Sequence, residues 1–262
     1  MSSVYQSVVG WRHALESILM IGCQLSDPAW SSPTECPKWT VKDIYAHLVG
    51  GEQWMANGQP HVPEGGMAQW AAAPVLARRD TPPTAVLQEL RLAYEQRRVQ
   101  LEREPLDPTR PSYFPGFPGA DAPTLGQVLQ LRAFDVWTHE QDIRRAVGKP
   151  GNLAGPAAAI AAELFISTLP RIVANSAKAP PGSTVRLTTR GEVELDAAVA
   201  VNRDGRGRLV APGRVVTTHL VMSWETYARL SCGRGTRGDH EIRVNGDRPL
   251  GERVLDRLVI TP

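Results

Sequence analysis

Residues 132–145, RAFDVWTHEQDIRR, place a histidine and two carboxylates at helical spacing. If the stretch is helical, Asp135, His139 and Asp142 occupy positions i, i+4 and i+7, which is the spacing of a buried helical stripe. Because an unpaired buried carboxylate is costly, a compensating positive charge is expected nearby. A metal ion is one candidate, since a carboxylate and an imidazole one turn apart can hold a single cation.

A third ligand is expected from the preceding part of the chain, KWTVKDIYAHLVGGEQW. His47 is flanked there by Ile44 and Leu48, so it too lies along a buried helical stripe. One histidine from this helix and the Asp-x-x-x-His pair of the later helix supply two nitrogens and one oxygen. Three protein ligands leave a coordination position open, which is typical of catalytic rather than structural metal sites.

Simpler interpretations of the same residues stay open. A lone buried histidine is more often a hydrogen-bonded core residue than a ligand. Asp135 can pair with Arg132, and Asp142 with Arg145, as ordinary ion pairs on a helix surface. The spacing alone is compatible with a metal site and with a set of ion pairs.

The first 150 residues predict helices with an apolar period of 3.6 residues. These predicted helices span residues 4–25, 40–57, 82–104 and 124–147. Capping boxes open two of them, Thr40 with Asp43 and Thr124 with Gln127. A long connection rich in proline and glycine precedes the last helix, and the pattern as a whole predicts a four-helix bundle.

The pattern changes near residue 150. An alanine-rich helix at about 155–175 leads into alternating β-branched residues with glycine-containing turns, which predict antiparallel strands. A short helix capped by Ser223, a further strand and a closing helix follow. The sequence therefore predicts an α+β protein of two domains, residues 1–150 and 151–262.

Composition excludes several classes of function. The 262 residues carry a formal net charge of only +2, whereas nucleic-acid-binding proteins usually gather a strong basic excess on one face. The N-terminus lacks the features of a signal peptide, and no apolar run reaches the roughly 18 residues that cross a bilayer. Cys23, Cys36 and Cys232 are far apart in the sequence and are expected to be free thiols. We expect a cytoplasmic protein without nucleic-acid or membrane partners.

Two segments together resemble the mycothiol-dependent maleylpyruvate isomerase family. They are WTVKDIYAHLVGGEQW (39–54) and RAFDVWTHEQDIRRAVG (132–148). The tail, MSWETYARLSCGRG (222–235) and IRVNGDRPLGERVLDRLVITP (242–262), is similar to that family's C-terminal domain. The resemblance covers nearly the whole chain. It implies a DinB-like four-helix bundle followed by a small, sterol-carrier-like α+β domain.

The resemblance also implies a site. The family binds a divalent metal, usually zinc, and the matching positions here are His47, Asp135 and His139. The prototype has glutamate where this chain has Asp135, and the shorter side chain bears on metal choice and activity. Asp142 is then expected to orient a ligating histidine or to be structural. An arginine of the C-terminal domain is implied to bind a substrate or cofactor carboxylate; Arg234 is the best positional match and Arg243 competes with it.

The implied chemistry uses mycothiol as cofactor or co-substrate. Its thiolate adds to the cis double bond of a maleyl-type substrate, and rotation followed by loss of the thiol gives the trans product. Transfer of mycothiol to another electrophile stays an alternative, as does a metal- or small-molecule-binding protein without turnover. Loops 58–80 and 108–123 are expected to select the substrate. The expected partners are a small-molecule thiol and an electrophile, bound by a monomer or homodimer.

Overall fold

The computed structural model describes residues 3–58, 66–103, 105–114 and 123–261. The chain divides into two compact units, residues 1–160 and 161–262. In the described residues the first unit is helical, and the second contains a five-stranded sheet. The predicted α+β class is confirmed. The helices that begin in the first unit are α1 (Val4–Gly22), α2 (Val41–Ala56), α3 (Gly66–Ala77), α4 (Pro83–Arg103), α5 (Leu125–Ala146) and α6 (Pro156–Arg171), with a 3₁₀ turn at Asp27–Ser31.

The helices α1, α2, α4 and α5 correspond to the four predicted helices. Both predicted capping boxes are present: Thr40 exchanges hydrogen bonds with Asp43, and Thr124 with Gln127. Each pair satisfies backbone N–H groups that have no partner within the first helical turn. The caps therefore fix where α2 and α5 begin.

Helix α3 was not predicted and lies inside the expected loop 58–80. Its sequence, GMAQWAAAPVLA, contains Pro74 and has almost no amphipathic period, so neither signal for a helix was present. Residues 59–65 and 115–122 of the two expected substrate loops lie outside the described residues.

A buried carboxylate holds α1 against α5. Glu140, which is fully buried, accepts hydrogen bonds from the Ser17 hydroxyl at 2.6 Å and from the Asn152 amide at 2.7 Å. The guanidinium of Arg144 donates to the same carboxylate at 2.8 Å and also to the Ser17 hydroxyl. Because a buried charge is tolerated only when it is paired, this network fixes the rotation of α5, on which Asp135 and His139 lie.

The second unit contains a mixed sheet of order β3-β2-β1-β4-β5. Its strands are β1 (Thr184–Arg190), β2 (Asp196–Val201), β3 (Gly207–Val210), β4 (Thr218–Ser223) and β5 (Arg243–Gly246). The prediction of antiparallel strands is wrong for the central pair, because β1 and β4 run parallel in a register from Val185↔Thr218 to Arg190↔Ser223. Residue alternation shows which face of a strand is buried but not the direction of its neighbour. Helices α7 (Trp224–Ser231), capped by Ser223, and α8 (Arg248–Leu255) pack against the sheet.

One helical segment bears on the membrane expectation. Pro156–Ser176, which begins with α6, is long and apolar enough to cross a bilayer by length and composition, contrary to the sequence estimate. Buried residues make up 56% of its most apolar window. The core helix of a globular protein has the same composition, so this segment is weak evidence for a membrane span.

Candidate metal centre

The three predicted ligands converge between α2 and α5. The Nε2 atom of His47 lies 3.7 Å from Oδ2 of Asp135, and Nε2 of His139 lies 3.6 Å from Oδ1 of the same carboxylate. The two imidazole ring centroids are 4.9 Å apart. One donor atom from each residue lies within 4.8 Å of the other two.

These separations fit donors around a common ion better than a hydrogen-bonded triad. An N–H···O hydrogen bond places its heavy atoms about 2.7–3.2 Å apart, which is shorter than either histidine–carboxylate distance. Two donors that each lie about 2.1 Å from a tetrahedral ion are about 3.4 Å apart. The observed nitrogen–oxygen distances are close to that value.

His47 presents an unshared lone pair to the centre. Its Nδ1 lies 3.3 Å from the carbonyl oxygen of Ala71 in α3. Because a carbonyl only accepts, Nδ1 carries the hydrogen and Nε2 keeps its lone pair. This Nε2 is buried and has no hydrogen-bond partner among the described residues. A buried acceptor left without a partner costs about 1–3 kcal/mol, and a bound cation would satisfy it.

His139 is oriented in the same sense by a different acceptor. Its Nδ1 lies 3.2 Å from Oδ2 of Asp142, whose side chain is fully buried. With the hydrogen on Nδ1, the Nε2 lone pair faces Asp135. Histidines that ligate metals almost always donate their other ring N–H to a carboxylate or carbonyl, so both rings meet that requirement.

Asp135 also accepts a hydrogen bond from a buried arginine. Arg132 donates to Asp135 at 2.6 Å and to Glu52 of α2 at 2.5 Å. The ion pair that Arg132 and Asp135 were expected to form as an alternative to a metal site therefore coexists with the histidine contacts. A Cβ atom built at Gly51 would lie only 3.0 Å from both terminal guanidinium nitrogens, so the glycine leaves the space that Arg132 occupies.

The local charges favour the protonation states that a metal needs. Burial lowers the pKa of His47, although the Asp135 carboxylate opposes this effect. Burial acts to raise the pKa of Asp135, but the charge of Arg132 and the two histidines outweigh it and hold that pKa well below its usual range. Near neutral pH, His47 is therefore uncharged and the Asp135 carboxylate is ionised. These are the protonation states in which each side chain can bind a metal ion.

Several residues that surround the candidate metal centre were not predicted from the sequence. Glu52 continues the stripe of Ile44 and Leu48 by one further turn, so helical spacing could have identified it as buried. No comparable signal pointed to Trp70 or Ala71 of α3. The Trp70 ring lies edge-on to His47 at 6.0 Å.

Trp39 lies beside both histidines. It is half-buried, and its ring lies 4.9 Å from His47 and 5.9 Å from His139. The indole therefore covers one side of both imidazoles.

The two candidate arginines belong to the second unit. Arg234 is 6% exposed, and its guanidinium donates to the carbonyl of Cys232 at 2.7 Å. Arg243 is exposed on β5 and lines a cavity of about 300 Å³ together with Arg190. The carbonyl contact ties Arg234 to its own loop, whereas Arg243 lines an open cavity whose other charged residues are Arg190 and Glu241.

The family model described as the mycothiol maleylpyruvate isomerase N-terminal domain matches residues 11–144. This chain belongs to that family. The matched segment includes α2 and most of α5, and hence His47, Asp135 and His139. No curated protein sequence matches the chain.

Solved structures of the family share the fold beyond the matched segment. A mycothiol-dependent maleylpyruvate isomerase and a histidine-to-alanine mutant of such an enzyme are both 14% identical to this chain. Each comparison covers 94% of this chain and 96% of the other, with TM-scores of 0.61 for the former and 0.62 for the mutant. The family fold therefore extends over nearly the whole chain, including the five-stranded sheet.

Proposed function

We propose that the protein is a metal-dependent enzyme of the maleylpyruvate isomerase type that uses mycothiol. The observation that carries this proposal is the buried, unpartnered Nε2 of His47, which lies beside Asp135 and His139 within the family's own domain. Two imidazole nitrogens and one carboxylate oxygen form a donor set that suits zinc and leaves a fourth position for a thiol.

The surrounding residues hold these three side chains in the orientation and charge state that metal binding needs. The Ala71 carbonyl and the Asp142 carboxylate keep the Nε2 lone pairs directed inward, and Arg132 keeps Asp135 ionised. A divalent cation held there would lower the pKa of a bound thiol, giving a thiolate near neutral pH. The Asp135 side chain is 31% exposed while both histidines are buried, so we infer that the thiol approaches from the carboxylate side.

The proposed reaction returns the thiol. The mycothiol thiolate adds to one carbon of a cis double bond that is conjugated to a carbonyl, and the displaced electron pair moves to the carbonyl oxygen. The former double bond is now single and rotates. The electron pair then returns, the carbon–sulfur bond breaks, and the trans alkene and the thiolate are released.

We further propose that an arginine of the second unit binds a substrate carboxylate. Arginine suits this role because its planar guanidinium forms two parallel hydrogen bonds to a carboxylate. Arg243 is supported by its exposure and by Arg190 in the same cavity, whereas Arg234 is supported by the resemblance. Kinetic comparison of Arg243→Gln with Arg234→Gln separates them, because substitution of the residue that contacts the carboxylate should raise KM while the metal content stays unchanged.

The test of the overall proposal is to incubate the purified protein with mycothiol and maleylpyruvate, and to follow both the trans product and the free thiol. We expect product to accumulate while the thiol concentration stays constant. Consumption of one thiol per product molecule would contradict the isomerase and indicate a mycothiol S-transferase. Stoichiometric metal without turnover of either kind would indicate a binding protein.

We propose a cytoplasmic location, where low-molecular-weight thiols stay reduced. All three cysteines lie in the described residues, and no disulfide joins any of them, which is the pattern of reducing compartments. We expect the enzyme to act on small molecules as a monomer or homodimer.

A further inference from the structure

His139 lies between two different sets of donor atoms. Its Nε2 faces Asp135 at 3.6 Å, and its Nδ1 faces Asp142 at 3.2 Å. A sulfur atom completes the second set, because Cys36 Sγ, a ring nitrogen of His139 and a carboxylate oxygen of Asp142 all lie within 4.8 Å of one another. Cys36 is half-buried, whereas Asp142 and His139 are buried, so the cysteine is the member of this set nearest to solvent.

The loop that carries Cys36 is fixed at both ends. An isolated bridge joins Pro33 to Thr40, and the Thr34 N–H donates to the Trp39 carbonyl at 3.0 Å. Inside the loop, the Cys36 N–H donates to the Thr34 hydroxyl at 3.2 Å. The loop thus presents the thiol and the Trp39 ring to the same histidine.

The surroundings of this second set carry a net negative charge once the Cys36 thiol ionises. Asp142, Glu35 and a Cys36 thiolate would supply three negative charges. Arg145 is the neighbouring cation, 3.3 Å from Glu35 and 4.0 Å from Asp142. Because His139 becomes an imidazolate when its Nδ1–H is lost, a divalent cation would lie in surroundings with a net charge of minus three.

The donor types define the ligand. At a tetrahedral zinc ion, nitrogen and oxygen ligands each lie about 2.0–2.2 Å from the metal and so about 3.3–3.5 Å from each other. His139 Nδ1 and Asp142 are hydrogen-bonded at 3.2 Å, so they would need to move apart only slightly to reach that separation. Thiolate with imidazole selects borderline and soft ions such as Zn²⁺, Co²⁺ and Cd²⁺ over Mg²⁺ or Ca²⁺.

We propose that Cys36, His139 and Asp142 form a second, thiolate-containing metal site that shares His139 with the first. On binding, the Cys36 thiol and the Nδ1–H of His139 each release a proton to solvent, while metal–sulfur, metal–nitrogen and metal–oxygen bonds form. No oxidation state changes. The resulting imidazolate would bridge the two sites, so occupation of the second site by excess zinc would change the charge of the ligand that both sites share. This second site depends on the metal-binding residues of the first site, because the two share His139. It does not depend on the proposed isomerase activity.

The test is a Co²⁺ titration of the metal-stripped protein, followed by near-ultraviolet absorption and by metal analysis after gel filtration. Thiolate-to-cobalt charge transfer absorbs in this range, whereas nitrogen and oxygen ligands do not. We expect two equivalents of Co²⁺ to bind, with the charge-transfer band accompanying only one of them. Cys36→Ser should lose the band and that equivalent while keeping the other. Cys23→Ser, which removes an exposed thiol elsewhere on the surface, is the matched control and should keep both.

Two further variants make the result decisive. Asp142→Asn leaves the thiol intact but removes a ligand of the second site and the acceptor that orients His139 in the first, so it should abolish the band and also weaken the band-free equivalent. His47→Ala should lose the band-free equivalent and keep the band, so failure of the first site is distinguishable from failure of the second. A single equivalent without a thiolate band in the wild-type protein, or a band that survives Cys36→Ser, would overturn the proposal.

Discussion

Arg132 joins carboxylates from two helices in the interior of the first unit. It is 2% exposed and contacts Glu52 of α2, which is 1% exposed, as well as Asp135 of its own helix. Burial lowers the pKa of Arg132, but Glu52 and Asp135 more than compensate, so that its pKa is raised and the guanidinium stays charged. The pair thus links the position of α2 to the ionisation of Asp135, a candidate metal ligand.

Removing this arginine should be costly. In Arg132→Met, Glu52 becomes a buried charge without its partner, so we expect the free energy of unfolding to fall by about 3–5 kcal/mol. Urea denaturation followed by circular dichroism measures the change. The double variant Arg132→Met, Glu52→Gln should recover part of the lost unfolding free energy, because position 52 then carries no buried charge.

A partly exposed arginine serves as the control. Arg98 of α4 pairs with Glu95 and Glu102 on the helix surface. Arg98→Gln should leave the unfolding free energy nearly unchanged, since solvent screens such pairs. Equal losses in the two arginine variants would show that the buried pair has no special role.

Helical spacing in the sequence identified the three metal-ligand candidates, because each lies on a periodic apolar stripe. It did not identify the Glu52–Arg132 pair, whose members are 80 residues apart in the chain. A contact of this kind depends on how α2 and α5 meet, which the local pattern of neither helix contains.

At the scale of single elements, the capping box in the sequence correctly predicted that Thr40 precedes the first turn of α2. Thr40 accepts from the Asp43 N–H at 3.3 Å, and the Asp43 carboxylate accepts from the Thr40 N–H at 2.9 Å. Thr40→Ala should lower the free energy of unfolding by about 1 kcal/mol, whereas Thr40→Ser should change it little. Thermal or urea unfolding of the two variants checks this, and an equally large loss in the serine variant would contradict a capping role.

Helix α3 supplies the acceptor that orients His47. A Cβ atom built at Gly50 of α2 would overlap the ring of Pro74 in α3, and a rigid ring cannot turn aside. Gly50→Ala should therefore displace α3 and weaken the contact between His47 and the Ala71 carbonyl. Since changing such an orienting partner typically costs 10–100-fold in metal affinity, we expect a loss of that order.

Competition with a chromogenic chelator measures this affinity. Gly238→Ala is the control, because within the part of the chain that the structure describes its added Cβ would meet only the Thr236 hydroxyl, at 3.7 Å. Unchanged zinc affinity in Gly50→Ala would show that α3 does not position the histidine.

The helices that were predicted correctly have strong local sequence patterns, whereas the helix that was not predicted lacks them. Capping boxes mark α2 and α5, whereas α3 combines an alanine run with an internal proline. The parallel pairing of β1 with β4 was missed for a different reason, because strand direction depends on the path of the chain between them. That path is set by tertiary packing.

At the scale of the whole molecule, the apolar segment Pro156–Ser176 is the feature that could be mistaken for an anchor. More than half of its most apolar window is buried in the protein, and the chain has a net charge of only +2 for attraction to anionic lipids. We expect the purified protein to stay in the bottom fraction when floated with neutral or anionic vesicles. Recovery with the vesicles in the top fraction would contradict the assignment of this segment to a protein core.

The most direct test of the metal centre is the zinc content of the purified protein and of its ligand variants, measured by mass spectrometry of the metal. Wild-type protein and His13→Ala, which changes an exposed histidine of α1, should contain equal amounts of tightly bound zinc. His47→Ala, Asp135→Asn and His139→Ala should each lose at least one equivalent. Zinc content in His47→Ala equal to that of the wild type would contradict a metal centre at these three residues.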